Sequence, residues 1–265
     1  MTKYFLLLVT LPLVGVVSFQ GPDPEPPPPK DEWIQIFNGE NLEGWTPKFA
    51  GIELGVNYKN TFRVEDGLLK ISYENYDQFD DRFGHLFYEQ PYSHYKIRAE
   101  YRFVGEQIPG APDWAWRNNG LKLHSQPPET MGRDQDSPVS IEVQLLGGEG
   151  PEERTTANMC SMGTHVVIDG ALITEHCYNS TSETYRGDQW VTVTAEVRGG
   201  EVVRHYVEGT EVLSYTSPQY DTTDSNAKPL VTGDDLLLEE GYIAIQAESH
   251  PTHFRSIEVL PLEEN

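Results

Sequence analysis

Positive charge is scarce: 19 Lys and Arg stand against 42 Asp and Glu in 265 residues, a formal charge of -23. Nucleic-acid binding draws its affinity from Lys and Arg set along phosphates, so this balance excludes nucleic acid as a partner. Helical periodicity is scarce too. No run of 12 or more residues keeps apolar side chains at helical spacing, so long helices are not expected. The chain has no Gly-rich phosphate loop, no His-Glu-x-x-His and no Gly-x-Ser-x-Gly, and a serine nucleophile is unsupported. Asp77, Asp80 and Asp81 cluster without the ligand register of a calcium loop. Only two cysteines occur, Cys160 and Cys177.

Long apolar runs are also missing, save one. Tyr4–Val17 (YFLLLVTLPLVGVV) is uncharged and follows Lys3. At 14 residues it is shorter than the roughly 20 a membrane span needs and suits a secretory signal. Val16 and Ser18 are small enough to flank a cleavage site after Ser18, and no cysteine lies nearby to carry a lipid. The competing reading is an uncleaved N-terminal anchor. Residues 21–30 (GPDPEPPPPK) hold six prolines, a polyproline II tether that packs no core. The expected division is a signal over 1–18, a linker over 19–31 and one domain over 32–265. A periplasmic or extracellular protein follows, with no stable membrane insertion once the signal is removed.

An oxidising compartment makes a Cys160–Cys177 disulfide the first expectation. Closing a loop of that length stabilises by about 3 kcal/mol on the chain-entropy model. Two free buried thiols or a pair of metal ligands are the alternatives.

What the chain does have is turn residues: 23 Gly and 19 Pro. Between them lie short β-branched runs, expected as strands at 61–64, 68–73, 95–104, 120–124, 139–146, 191–198, 201–207, 241–248 and 257–260. Asp66-Gly67 and Gly199-Gly200 mark tight hairpins. The expected fold is all-β, an antiparallel two-sheet β-sandwich. Two long intervals, 105–118 and 125–138, break the rhythm and carry Trp114, Trp116 and Met131. Such loops are commonly functional; the tryptophans either wall a sugar site or cover a sheet edge.

Strand residues two apart share a face. By that rule Gly120, Lys122 and His124 point one way, as do Ser140, Glu142 and Gln144, and Tyr242, Ala244, Gln246 and Glu248. The opposite faces are apolar. A solvated sheet face explains such a row equally simply. The functional reading gains from the residue types, which transfer protons or grip hydroxyls, and from the unusual loops that follow each strand.

The segments FNGENLEGW, VEDGLL, NNGLKLHSQ, IEVQLLGG, GDQWVTVTAEVRGG and GYIAIQAESHPTHFRSIEVLPL occur in an order that resembles the 3-keto-disaccharide hydrolase family. The resemblance spans about residues 32–262. It implies a concanavalin A-like lectin/glucanase sandwich (a jelly roll) and action on glycosides whose glucose ring carries a ketone at carbon 3. Some relatives act as 3-keto-glucoside 1,2-lyases or as 3-keto-2-hydroxyglucal hydratases. A carbon 3 ketone acidifies the carbon 2 proton; a base removes it, the enolate expels the glycosidic oxygen, and water adds back. That requires a base, an enolate stabiliser and an acid.

Glu142 is the expected base, with His124 as the substitute and Lys122 beside them. Asn119, Gln144, Gln246, Glu248, Trp114, Trp116 and Arg255 are the expected substrate contacts, Asn119 and Arg255 from the resemblance. The family's Asn-Ser-Gly step is altered here: Asn118 or Asn119 stands in place of the Ser, depending on the alignment. On this reading Glu142→Gln costs at least about 100-fold in turnover and leaves stability nearly untouched. No cofactor is required by the residues, and a divalent metal steadying the enolate stays open. Two other functions compete: a non-catalytic lectin-like module, and a hydrolase of unmodified glucans. The last is disfavoured because IEVQLL carries one carboxylate where a sandwich glucanase carries two or three.

Overall fold

The computed structural model describes residues 32–264; the expected signal and linker lie outside the described residues. In chain order the strands are β1 (Ile34–Gln35), β2 (Trp45–Phe49), β3 (Phe62–Glu65), β4 (Leu68–Ile71), β5 (Gly84–Tyr92) and β6 (His94–Phe103). Next come β7 (Asn118–Ser125), β8 (Ser140–Leu146), β9 (Asn158–Met162), β10 (Thr164–Ile168), β11 (Ala171–Ile173) and β12 (Cys177–Tyr178). β13 (Val191–Arg198), β14 (Val202–Val207), β15 (Thr210–Tyr220), β16 (Gly241–Ala247) and β17 (Thr252–Pro261) complete the set. The helices among the described residues are 3-10 turns of three residues.

The strands form two antiparallel sheets. The back sheet runs β11-β10-β15-β14-β13-β6-β17-β4-β3, with β1 on β17, and the front sheet runs β12-β9-β8-β7-β16-β5-β2. The two hairpin signals are where the sequence puts them. Asp66 and Gly67 join β3 to β4 with φ of 57° and 75°, the left-handed pair a two-residue hairpin turn demands. Gly199, at φ 49°, opens the β13–β14 hairpin.

Alternation supplies the core. Leu121, Leu123, Ile141, Val143, Ile243 and Ile245 of the front sheet pack with Ile97, Ala99, Val193, Val197, Ile257 and Val259 of the back sheet. Burying a side chain of this size contributes about 1.5–3 kcal/mol. The outer face of the front sheet is covered too. The loop 126–139 lays Met131 on Phe87 and Ala244 in a second small apolar cluster. Lys48 Nζ ties that loop down by donating to the Arg133 carbonyl at 2.9 Å. The loop therefore caps the Phe87–Ala244 end of this face and leaves the polar residues beside it to line a cleft.

Candidate active site

One row of paired residues crosses the front sheet: Phe87, Ala244, Lys122, Glu142, Cys160 and Cys177. Cys160 and Cys177 are directly opposed on β9 and β12 and are bonded to each other. Lys122 and Glu142, likewise opposed, form an ion pair at 2.6 Å with side-chain exposures of 0% and 3%. Gly120 makes room for it, since a Cβ there would collide with the Glu142 carboxylate. An exposed pair is worth about 0–1 kcal/mol, but removing one partner of a buried pair costs about 3–5 kcal/mol.

Above this row lies a cleft of about 570 Å³. Glu142, Gln144, Asn118, Gln246 and Glu248 form its floor; Phe83 and Trp114 line one side, and the disulfide, Met162 and His176 another. The Phe83 and Trp114 rings stack at 6.0 Å with planes 5° apart, and Trp114 is 58% exposed. The loop that carries it is pinned by Arg154, whose guanidinium donates to the carbonyls of Trp116, Gly147 and Trp114. Asn158 donates to Gln144 Oε1 at 3.1 Å, fixing that amide's orientation. Three polar atoms of cleft-lining residues are buried and unpartnered: Asn118 Oδ1, Gln246 Oε1 and Glu248 Oε2; His85, opposite Gln246 on β5, has an unpartnered Nε2 as well. Buried polar groups are normally satisfied, and here three unsatisfied ones belong to one cleft.

The electrostatics separate the groups. Burial, then the neighbouring Glu142 charge, lifts the Glu248 carboxyl well above the ordinary carboxylate range. Burial, reinforced by Lys122 and Lys48, pushes His85 well below the usual imidazole value and keeps it neutral. Among the described residues no group of three or more His, Cys, Asp or Glu side chains converges as a metal site would.

The expected residues do not all meet. Glu142, Gln144, Gln246, Glu248 and Trp114 line one cleft. Lys122 lies fully buried against Glu142 and does not line the cleft. His124 is elsewhere: its φ of 49° breaks the alternation, and its ring reaches the Gly199 carbonyl at 3.2 Å. Burial lowers its pKa to about 4. Asn119 is fully buried and donates to the Gln246 carbonyl at 2.7 Å, so it is Asn118 that faces the cleft. Trp116 packs edge-on to His250 and lines a neighbouring groove. Arg255 lies on the back sheet, paired with Glu100 at 2.7 Å and stacked over Trp190. The sequence expectations include no strand at GHLFYEQPY and so omit His85 within it and Phe83 just before it; a proline inside such a run argues against a central strand. Pro91 nonetheless sits near that strand's end, opposite Tyr242; the alternation of His85 with Phe87 was the available signal.

Comparison with solved structures shows a shared fold. A candidate glycosyl hydrolase from Parabacteroides distasonis aligns over 88% of this chain and 100% of its own, at 13% identity and a TM-score of 0.50. The β-glucanase of Bacillus licheniformis aligns over 88% and 99%, at 12% identity and a TM-score of 0.47. A Bacillus subtilis protein of unknown function with a galectin-like fold aligns over 87% and 95%, at 11% and 0.46. No curated protein sequence gives a significant match. The family model described as the 3-keto-alpha-glucoside-1,2-lyase-like domain matches residues 32–260, which include both sheets and every residue of the cleft, and the chain belongs to that family.

Proposed function

We propose that the protein is an exported enzyme that cleaves 3-keto-glycosides, 3-keto-disaccharides among them, by removing the carbon 2 proton, expelling the glycosidic oxygen and adding water. The observation that carries this reading is the Glu142 carboxylate, ion-paired to a fully buried Lys122 and yet part of the cleft floor. A sheet face built only for solubility has no use for a buried pair, whose desolvation costs several kcal/mol per ion. Glu142 is the base. Lys122 is a positioning residue that fixes the carboxylate through the 2.6 Å ion pair. Gln144, Gln246 and Asn118 offer amides to sugar hydroxyls, and the Trp114 ring offers a sugar its flat face. The disulfide suits an oxidising compartment, and no helix among the described residues is long and apolar enough to cross a membrane.

The exposed Trp114–Phe83 stack also favours a second reading, a lectin-like module that holds a glycan without cleaving it. A chromogenic glucoside presented with and without oxidation at carbon 3 separates the two. The enzyme releases chromophore from the oxidised form alone. Binding without release from either form supports the module and defeats the enzymatic reading.

A further inference from the structure

Beside Glu142 the cleft holds a second buried carboxyl that base chemistry leaves unused. Glu248 follows β16 and is 6% exposed. Gln246 Nε2 donates to its Oε1 at 2.8 Å, while its Oε2 is buried without a partner. As a carboxylate it would strand a lone-pair oxygen away from water; as an acid it carries an O–H free to donate. We propose that Glu248 is the proton donor to the departing glycosidic oxygen, and that the cleft is thereby built for aglycones that leave poorly as anions, a second sugar or another alcohol, rather than phenols. This rests on the 3-keto-glycoside reading above.

The surroundings agree. Glu142 on β8 opposes ionisation of Glu248, as does burial, whereas Lys122 on β7 and Arg154 from the loop after β8 favour it. The Tyr73 hydroxyl nearby accepts from the Ser249 N–H at 2.7 Å. Burial is the largest influence, and it leaves a neutral acid next to an ion-paired carboxylate. A proton donor beside an ion-paired carboxylate in one cleft is the pairing that elimination needs.

The proton balance closes. Glu142 takes the carbon 2 proton, and the C–H electron pair becomes the enolate of the carbon 3 ketone. As that pair forms the C1=C2 double bond, the C1–O bond breaks with its electrons on oxygen. That oxygen takes the Glu248 proton and leaves as an alcohol. In hydration the Glu248 carboxylate takes a proton from the water that bonds carbon 1, and Glu142, having exchanged the abstracted proton with water, protonates carbon 2. Nothing is oxidised or reduced overall.

The test compares Glu248→Gln with wild type on two 3-keto-glucosides, one with a 4-nitrophenol aglycone and one with a second sugar. Losing a general acid should cost kcat/KM on the disaccharide about 100-fold or more, and at least about tenfold less on the nitrophenyl glycoside. Equal losses on both, or none on either, overturn the assignment while leaving the 3-keto-glycoside reading standing. A wild-type protein inert on both overturns both. Should Glu248→Gln fold poorly, wild type alone decides. Acid assistance predicts that kcat/KM varies little from nitrophenol to alkyl aglycones and declines at high pH on the poor leaving groups. A steep dependence on aglycone acidity with no alkaline decline contradicts it.

Discussion

On the outer face of the back sheet, Arg98 meets Glu258 at 2.6 Å and Lys96 meets Glu196 at 2.9 Å. On the outer face of the front sheet, Lys122 meets Glu142 at the same 2.6 Å. The side-chain types and the cross-strand geometry match, but the cations Arg98 and Lys96 are 37% and 33% exposed and Lys122 is 0%. In the back-sheet pairs the carboxylates of Glu196 and Glu258 are only 9% and 14% exposed, but their cations reach water, whereas on the front sheet both partners are buried. On the front sheet, the loop 126–139 and the Trp114 loop bound the polar row and leave buried carboxyl and amide oxygens unpartnered. Alternation decides which residues share a face; the covering loops decide whether that face is a surface or a site.

The largest expected effect comes from breaking the front pair. Glu142→Gln removes the base, so turnover falls at least about 100-fold, and it also leaves Lys122 buried without its charge partner. The sequence alone pointed to a variant of unchanged stability. The observed burial instead predicts a loss of about 3–5 kcal/mol, read by denaturant unfolding. The double variant Lys122→Met with Glu142→Gln removes both charges. It should recover most of that stability and none of the activity. Recovery of activity would take Glu142 out of the chemistry.

An intermediate effect comes from acid. Burial lowers His124, His205 and His250 to about 4. Unfolded histidines take protons near pH 6.5, so the unfolded state binds more protons as the pH falls, and stability present above 6.5 is lost on the way down. Glu248 has the opposite sign. Its raised folded pKa means that stability is lost as the pH rises from the ordinary glutamate value of about 4.3. Between about pH 6.5 and 5 the melting temperature should fall on acidification, and more steeply in Glu248→Gln. An unchanged slope in that variant would show that Glu248 is not held protonated.

The smallest effect belongs to the back sheet. Arg255→Ala breaks the exposed pair with Glu100 and should cost about 1 kcal/mol or less, with turnover as in wild type. A loss as large as that of the front pair would erase the distinction between the faces.

Much of this was legible from residues. The period-2 patterns of β7, β8 and β16 located the cleft floor, and Asp66-Gly67 and Gly199-Gly200 located two turns. Glu142 was placed by Ile141 and Val143 facing the core. What sequence could not carry was depth and long-range placement. Nothing local in NNGLKLHSQ announces that His124 adopts a left-handed backbone and turns toward Gly199. Arg255 follows a core phenylalanine but belongs to the other sheet's outer face. The burial of Lys122 depends on elements far from it in the chain, and no window around it could show that.

The central claim is that cleavage passes through loss of the carbon 2 proton. A 3-keto-disaccharide deuterated at carbon 2, incubated with the protein beside a protein-free control, tests it directly by mass spectrometry. Elimination and hydration predict that each cleavage event releases the label to water, with slowed turnover relative to the unlabelled sugar. A cleaved 3-keto-glucose that keeps its deuterium would contradict the account.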